Sequence, residues 1–304
     1  MADRPQVEVE ALDVVARGAD GREFPIVRDV AFRIAQGEVL ALIGESGSGK
    51  TTIALSLMGY ARSGCRISGG RIRVGETDLL SLPPSGLRDL RGRRVAYVAQ
   101  SAAAAFNPAR SIMAQVTEVA RIHGTDNPAE AEAKARKLFR ELALPDPDNI
   151  GDRYPHQVSG GQLQRLMAAM ALIANPELVI LDEPTTALDV TTQIEVLRAF
   201  RAAVRERGTT GVYVSHDLAV VAQMADRIVV LRDGTIREVG PTGEIITAPK
   251  NPYTQSLLAA AQPAPRGDAA PDPSAPMLLE VEGVAAGYGR VSILQDIALK
   301  IPKG

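Results

Sequence analysis

The sequence is short of cysteine, of long apolar runs and of any excess of charge, and each shortage removes a class of protein. Cys65 is the single cysteine in 304 residues, which forbids an internal disulfide and a cysteine-ligated metal cluster and fits a reducing compartment. The 34 basic side chains stand against 36 acidic ones, so the chain lacks the positive field that recruits nucleic acid, and no nucleic-acid partner is expected. The longest apolar run, Leu166 to Ala174, falls far below the roughly 18 residues needed to span a bilayer. The opening MADRPQVEVE carries acidic residues where a signal peptide needs a basic head. Any membrane role is therefore expected to be peripheral. An apolar fraction of 45% is ample for a buried core.

Period-two alternation in VEVEALDVV and VRDVAFRI, between Val7 and Ile34, predicts a small antiparallel sheet broken at GADGRE. VLALIG is a continuous apolar strand that runs into a glycine-rich turn. Residues 101–157 are mostly helical in character, with AEAEAKARKLFRELAL ending before Pro145, and the inserted helical subdomain is placed at about 101–174. From Leu178 an α/β rhythm returns: LVILD, a helix from Thr192 to Arg207, GVYVSH, and RIVVLRDGTIREVG as a hairpin turning on Asp233 and Gly234. AQPAPRGDAAPDPSAP, 261–276, has no apolar period and reads as a semi-rigid linker. After it, LQDIALKIPKG from Leu294 repeats VRDVAFRIAQG from Val27 nearly position for position, and LLEVEGV echoes VEVEALDV. The expected organisation is one module over 1–262, a linker over 263–276, and over 277–304 the start of a second module, cut off before its own glycine-rich turn. The chain is thus expected to be a piece of a longer tandem protein.

Gly44 to Thr51, GESGSGKT, is a phosphate loop between a predicted strand and a predicted helix, and it makes the fold an α/β P-loop NTPase with a parallel sheet core, an N-terminal antiparallel β subdomain and an inserted helical subdomain. Gly44, Gly47 and Gly49 let backbone N–H groups curl around an anion. Lys50 reaches the β- and γ-phosphates and the Thr51 hydroxyl takes Mg²⁺, with Ser46, Ser48 and Thr52 assigned to the same nucleotide cradle. LVILDEP delivers Asp182 for the Mg²⁺ shell and Glu183 as general base for an attacking water. Gln100, after RVAYVA, is placed to bridge Mg²⁺ and that water, and His216, after GVYVS, to touch the γ-phosphate. VSGGQLQR opens a further helix, so Ser159, Gly160, Gly161 and Gln162 form a second phosphate-binding end. One nucleotide does not need both ends of one module, and the arrangement makes sense if ATP is shared between two.

Phosphate loop, Gln100, SGGQ, DEP, Ala187-Leu188-Asp189 and His216 occur in the order seen in ATP-binding cassette proteins, which 7–262 resembles, and Asp189 joins the nucleotide set on that ground. AFNPARSI, YPHQVSGGQ, DEPTTALDVTTQ, SHDLAVVAQMADRI and NPYTQSLLAA look like the ATPase subunits of oligopeptide, dipeptide and nickel importers, some with two fused cassettes. The resemblance implies an ATP- and Mg²⁺-dependent hydrolase at the cytoplasmic face of the inner membrane. Its implied partners are a second cassette (tandem copy or homodimer), two integral-membrane permease subunits and an external solute-binding protein. It also implies that the region after Gln100 docks the permease, and that Asn251 to Leu258 is a family-specific appendage. Two departures stand out. Aligning Asp29 with Asp296 puts Gly21 where the second repeat has Tyr288 and the family an adenine-stacking aromatic, which leaves Phe24 as the nearest candidate; and a cysteine cluster found near the tail of some relatives is ruled out by the single Cys65. The alternative reading is a non-transport cassette ATPase: a ribosome-associated factor, a repair protein, or a subunit of a phosphonate-handling complex. Repair types need a long coiled coil that the helical insert lacks.

Overall fold

The computed structural model describes residues 5–184, 190–261, 276–289 and 291–303. It divides into two compact units, Met1–Ala261 and Gln262–Gly304. In the first, chain order runs β1 (Val7–Arg17), β2 (Glu23–Ile34), β3 (Val39–Ile43), α1 (Lys50–Ser56), β4 (Cys65–Val74), β5 (Thr77–Asp78), α2 (Pro84–Leu90) and β6 (Val95–Val98). A helical insert follows, with α3 (Ala102–Ala105), α4 (Ile112–Val116), α5 (Glu118–His123), α6 (Pro128–Glu141) and α7 (Gly160–Leu172). The unit closes with β7 (Leu178–Asp182), α8 (Val190–Glu206), β8 (Thr210–Val214), α9 (Leu218–Met224), β9 (Arg227–Arg232), β10 (Thr235–Pro241), α10 (Thr242–Thr247) and α11 (Pro252–Ala261). No helix among the described residues is long and apolar enough to cross a membrane.

The alternating segments form the expected antiparallel sheet, ordered β2-β1-β4-β5. The continuous apolar runs form the other sheet, ordered β10-β9-β3-β8-β7-β6, parallel except for the terminal β9–β10 hairpin. Continuity reflects burial on both faces. Leu40 and Leu42 of β3 pack with Val9, Leu12 and Val30 of the antiparallel sheet and Ile53 of α1, whereas Val39, Ala41 and Ile43 pack toward the helices, with Leu166, Phe200 and Val221. The parallel sheet is thus a middle layer, and the loops leaving the carboxyl ends of β3, β6, β7 and β8 share one edge of it, where open parallel sheets bind ligands.

In the insert, α6 begins on a capping box: Asn127 Oδ1 accepts from the Glu130 N–H at 3.0 Å, and Glu130 Oε2 accepts from the Asn127 N–H at 3.1 Å. Pro128 occupies the first helical position, which needs no N–H donor. Ala131, Ala135, Leu138 and Phe139 make its buried stripe at helical spacing, and truncating the fully buried Phe139 to Ala would cost about 3–5 kcal/mol. The β9–β10 turn is at Asp233 (φ 51) and Gly234 (φ 74), as its sequence predicts. Gly234 also admits β2 against the turn: an added Cβ would stand 2.0 Å from the Ile26 carbonyl oxygen, while the Arg28 N–H bonds to Gly234 O at 2.9 Å.

The second unit is a hairpin of β11 (Met277–Tyr288) and β12 (Val291–Pro302). Its register, Leu279 with Ile301, Val281 with Leu299, Val284 with Ile297 and Ala286 with Leu294, repeats Val7 with Ile34, Val9 with Phe32, Leu12 with Val30 and Val14 with Val27. The left-handed residues recur at the same points, Ala11 matching Gly283 and Asp29 matching Asp296. Residues 262–275, which hold nearly all of the predicted linker, lie outside the described residues.

Candidate functional site

The phosphate loop follows β3 directly. At Gly44 an added Cβ would sit 2.1 Å from the Leu231 carbonyl oxygen, so the loop's approach to β9 excludes any side chain there. The loop closes at Gly49, whose φ of 97 is the left-handed cap from which α1 starts. Lys50, only 7% exposed, donates from Nζ to Gly44 O and Glu45 O, each at 2.8 Å. Burial pulls its pKa below the ordinary ammonium value, and the carboxylates of Glu183 and Asp182 pull it back. The result is a desolvated cation whose natural counter-charge is an anion entering the loop.

Asp182, 5% exposed at the end of β7, has both oxygens engaged: Oδ1 accepts from Thr51 Oγ1 at 3.1 Å and Oδ2 from the Tyr97 hydroxyl at 2.7 Å. Burial first, and then the adjacent carboxylate, push the Tyr97 phenol upward, so it keeps its proton and donates. Glu183 comes next at φ 48, a left-handed conformation that costs a non-glycine residue about 1–3 kcal/mol. Its N–H still bonds to Val214 O at 3.0 Å, and its carboxylate turns to meet the side chains that follow β6 and β8. Oε2 accepts from Gln100 Nε2 at 3.3 Å, and Oε1 lies 3.0 Å from His216 Nδ1.

These groups line one cleft of about 690 Å³, floored by Ser46, Gly47, Gly49, Lys50, Thr51 and Thr52 and walled by Asp182, Glu183, Gln100 and His216. Thr51 and Asp182 bring two hard oxygen donors together beside the loop, a set that fits Mg²⁺ held jointly with substrate phosphates. Gln100 meets Glu183 in this arrangement.

The SGGQ segment lies elsewhere. Ser159 caps α7 in a closed box, its Oγ accepting from the Gln162 N–H at 3.3 Å and Gln162 Oε1 accepting from the Ser159 N–H at 3.0 Å. Ser159 and Gly160 are exposed, Gly161 in the first turn of α7 is buried, and none of the four residues lines the phosphate-loop cleft.

The ABC transporter family model matches residues 27–186, a span that holds both the phosphate loop and the SGGQ signature, Ser159 to Gln162. The chain belongs to the ABC transporter family. The cassette is 39% identical over 256 residues to the probable D,D-dipeptide transport ATP-binding protein DdpD of Escherichia coli (strain K12), covering 84% of this chain and 78% of that protein. It is 39% identical over 235 residues to the dipeptide transport ATP-binding protein DppD of Haemophilus influenzae, covering 77% and 71%. Against the glutathione import ATP-binding protein GsiA of Salmonella typhimurium it is 38% identical over 251 residues, but these are 79% of this chain and 40% of that protein. The fold is shared with the ATP-binding cassette MJ0796 in its dimeric post-hydrolysis state bound to ADP and Pi, at TM-score 0.68 and 24% identity over 78% of this chain and 98% of that one.

Not every residue singled out in the sequence is brought to the cassette's cleft. Phe24 stands 52% exposed on β2, its ring beside Gly18 of the β1–β2 turn, while Ile26 lines the cleft. Asp189, with Ala187 and Leu188, lies outside the described residues. Sequence reasoning missed Ile26 and Arg62 in the cleft lining, the Tyr97 hydroxyl on Asp182, and the Tyr253 hydroxyl that accepts from the Glu45 N–H at 3.4 Å. Tyr97 carried a faint signal, as a polar-tipped residue in a strand otherwise apolar; Arg62, a lone arginine in a turn, carried none.

Proposed function

We propose that this cassette is the ATP-hydrolysing subunit of an importer for peptides or related small solutes, acting at the cytoplasmic face of the cell membrane with a second cassette, two integral-membrane permease subunits and an external solute-binding protein. The relatives support the solute class, being named for D,D-dipeptide, dipeptide and glutathione transport or import. The observation that carries the chemistry is the convergence of Gln100, Glu183 and His216 in the same cleft that Lys50, Thr51 and Asp182 line.

In this reading the loop's N–H groups cradle the phosphates of ATP, and Lys50 exchanges the carbonyls of Gly44 and Glu45 for β- and γ-phosphate oxygens. Thr51 and Asp182 would hold Mg²⁺, which when bound would supply charge neutralisation to the phosphates. Glu183 accepts the proton of the attacking water while Gln100 and His216 fix its carboxylate, and water displaces ADP from the γ-phosphorus to release phosphate. The exposed SGGQ end serves the nucleotide of the other cassette.

A Glu183→Gln chain is expected to bind MgATP normally, slow hydrolysis by roughly 10² to 10⁴, and co-purify with its integral-membrane partner when ATP is present. Loss of nucleotide binding, or turnover at the unmodified rate, removes Glu183 from the mechanism; absence of any membrane partner removes the transport reading.

Residues 277–304 are the opening hairpin of a second cassette in this reading. The repeated register supports it, and so does an apolar face left open: Val284, Leu294, Ile297, Leu299 and Ile301 are 40–48% exposed, whereas Leu12, Val27, Val30, Phe32 and Ile34 are buried. Val30→Asp should place an uncompensated carboxylate in the core and unfold the cassette, while Ile297→Asp in this chain should shift stability by less than about 0.5 kcal/mol. In the tandem polypeptide Ile297→Asp should become as damaging as Val30→Asp; a silent substitution there contradicts a second cassette.

A further inference from the structure

Tyr97 belongs to no motif named above, yet its hydroxyl makes the shorter of the two hydrogen bonds that hold Asp182, 2.7 Å against 3.1 Å from Thr51. The sheet order makes the contact. β6 pairs in parallel with β7 so that Tyr97 faces Ile180, and Asp182 lies one side-chain repeat further along the same strand, within reach of the phenol. Each carboxylate oxygen has its own donor: Thr51 Oγ1 on Oδ1, Tyr97 on Oδ2. With both oxygens accepting, the nearly buried carboxylate is held against rotation by the two bonds together.

We propose that Tyr97 is a positioning residue for the metal site: by occupying Oδ2 it fixes the Asp182 carboxylate so that Oδ1, beside Thr51, is the oxygen turned to the cation. This rests on the reading of Thr51 and Asp182 as the Mg²⁺ ligands. Tyr97 does not line the cleft. Because it stands three residues before Gln100, a shift of β6 would move the donor on Asp182 together with the side chain on Glu183.

The test is Tyr97→Phe, which keeps the ring and removes the hydroxyl, with Mn²⁺ as the probe. Mn²⁺ binding is titrated by electron paramagnetic resonance at saturating ADP, and ADP affinity is measured separately in EDTA, where it also reports a folded site. Tyr97→Phe should weaken Mn²⁺ binding about tenfold and leave metal-free ADP affinity unchanged, the lower end of what loss of an outer hydrogen-bonding partner costs a metal site. Asp182→Asn should weaken Mn²⁺ more strongly, and adding Tyr97→Phe to it should change little further, since Tyr97 acts through that carboxylate. If Tyr97→Phe binds Mn²⁺ like the unmodified chain while Asp182→Asn does not, or if the two effects multiply, the role given to Tyr97 is wrong. If Asp182→Asn itself leaves Mn²⁺ binding intact, the reading of the metal site fails first. Should Tyr97→Phe lose ADP binding in EDTA, Tyr97 serves the nucleotide fold and the proposal is overturned.

Discussion

The two segments of the cassette proposed to meet phosphate are built in opposite ways. The phosphate loop is concave and charged: a desolvated Lys50, the carboxylates of Asp182 and Glu183, and a cleft of about 690 Å³ surround it. The SGGQ end of α7 is exposed and closed on itself, its Ser159 and Gln162 satisfying each other, and no part of it reaches that cleft. An end that lines no part of the cleft does not meet the nucleotide proposed to sit there, and the difference between the two ends favours the proposed site shared by two cassettes.

Substitutions at the two ends should separate turnover from binding. Of Ser159 and Lys50, the larger effect is expected at the exposed end. Ser159→Arg should lower ATP turnover by roughly 10² to 10³, the order lost with a preorganised donor at a reacting phosphate, and leave the ATP affinity of a single chain within about twofold. Isothermal titration and a phosphate-release assay on one preparation measure both; a parallel loss of affinity would place the signature in the chain's own binding site. At the concave end, Lys50→Ala removes a charge-assisted contact of about 1.5–3 kcal/mol and should weaken MgATP binding roughly 10- to 150-fold. Binding that survives Lys50→Ala unchanged would mean that the buried ammonium does not meet the nucleotide.

How much of this was legible in the sequence follows from what each feature depends on. VLALIG and LVILD read as buried strands because both faces of the parallel sheet are covered, and Asp233-Gly234 read as a tight turn because few other residue pairs accept two left-handed positions. The cradle was readable for the same reason, since Gly44 and Gly49 answer to local backbone geometry. Features that depend on sheet order were not. The Tyr97–Asp182 bond requires β6 beside β7, strands 80 residues and a helical subdomain apart, and the third strand of the antiparallel sheet, CRISGGRIRV, hides its pairing behind glycine and arginine. The adenine contact was the least legible part: Phe24 is the nearest aromatic in sequence and stands 52% exposed on β2, while Ile26 lines the cleft. The two hairpins carry the same lesson, because an identical register is buried in one unit and open in the other, so pattern fixes pairing while neighbours decide burial.

The claim that ATP joins two incomplete modules is tested most directly by mixing two dead chains. A Lys50→Ala chain keeps its signature and a Ser159→Arg chain keeps its phosphate loop, so each homodimer lacks a working site, but their heterodimer holds one, made from the loop of the second and the signature of the first. Phosphate release should reappear on mixing and rise faster than linearly with total protein. If the mixture stays inactive while the unmodified chain hydrolyses ATP in strict proportion to its concentration, each module works alone and the shared site is refuted.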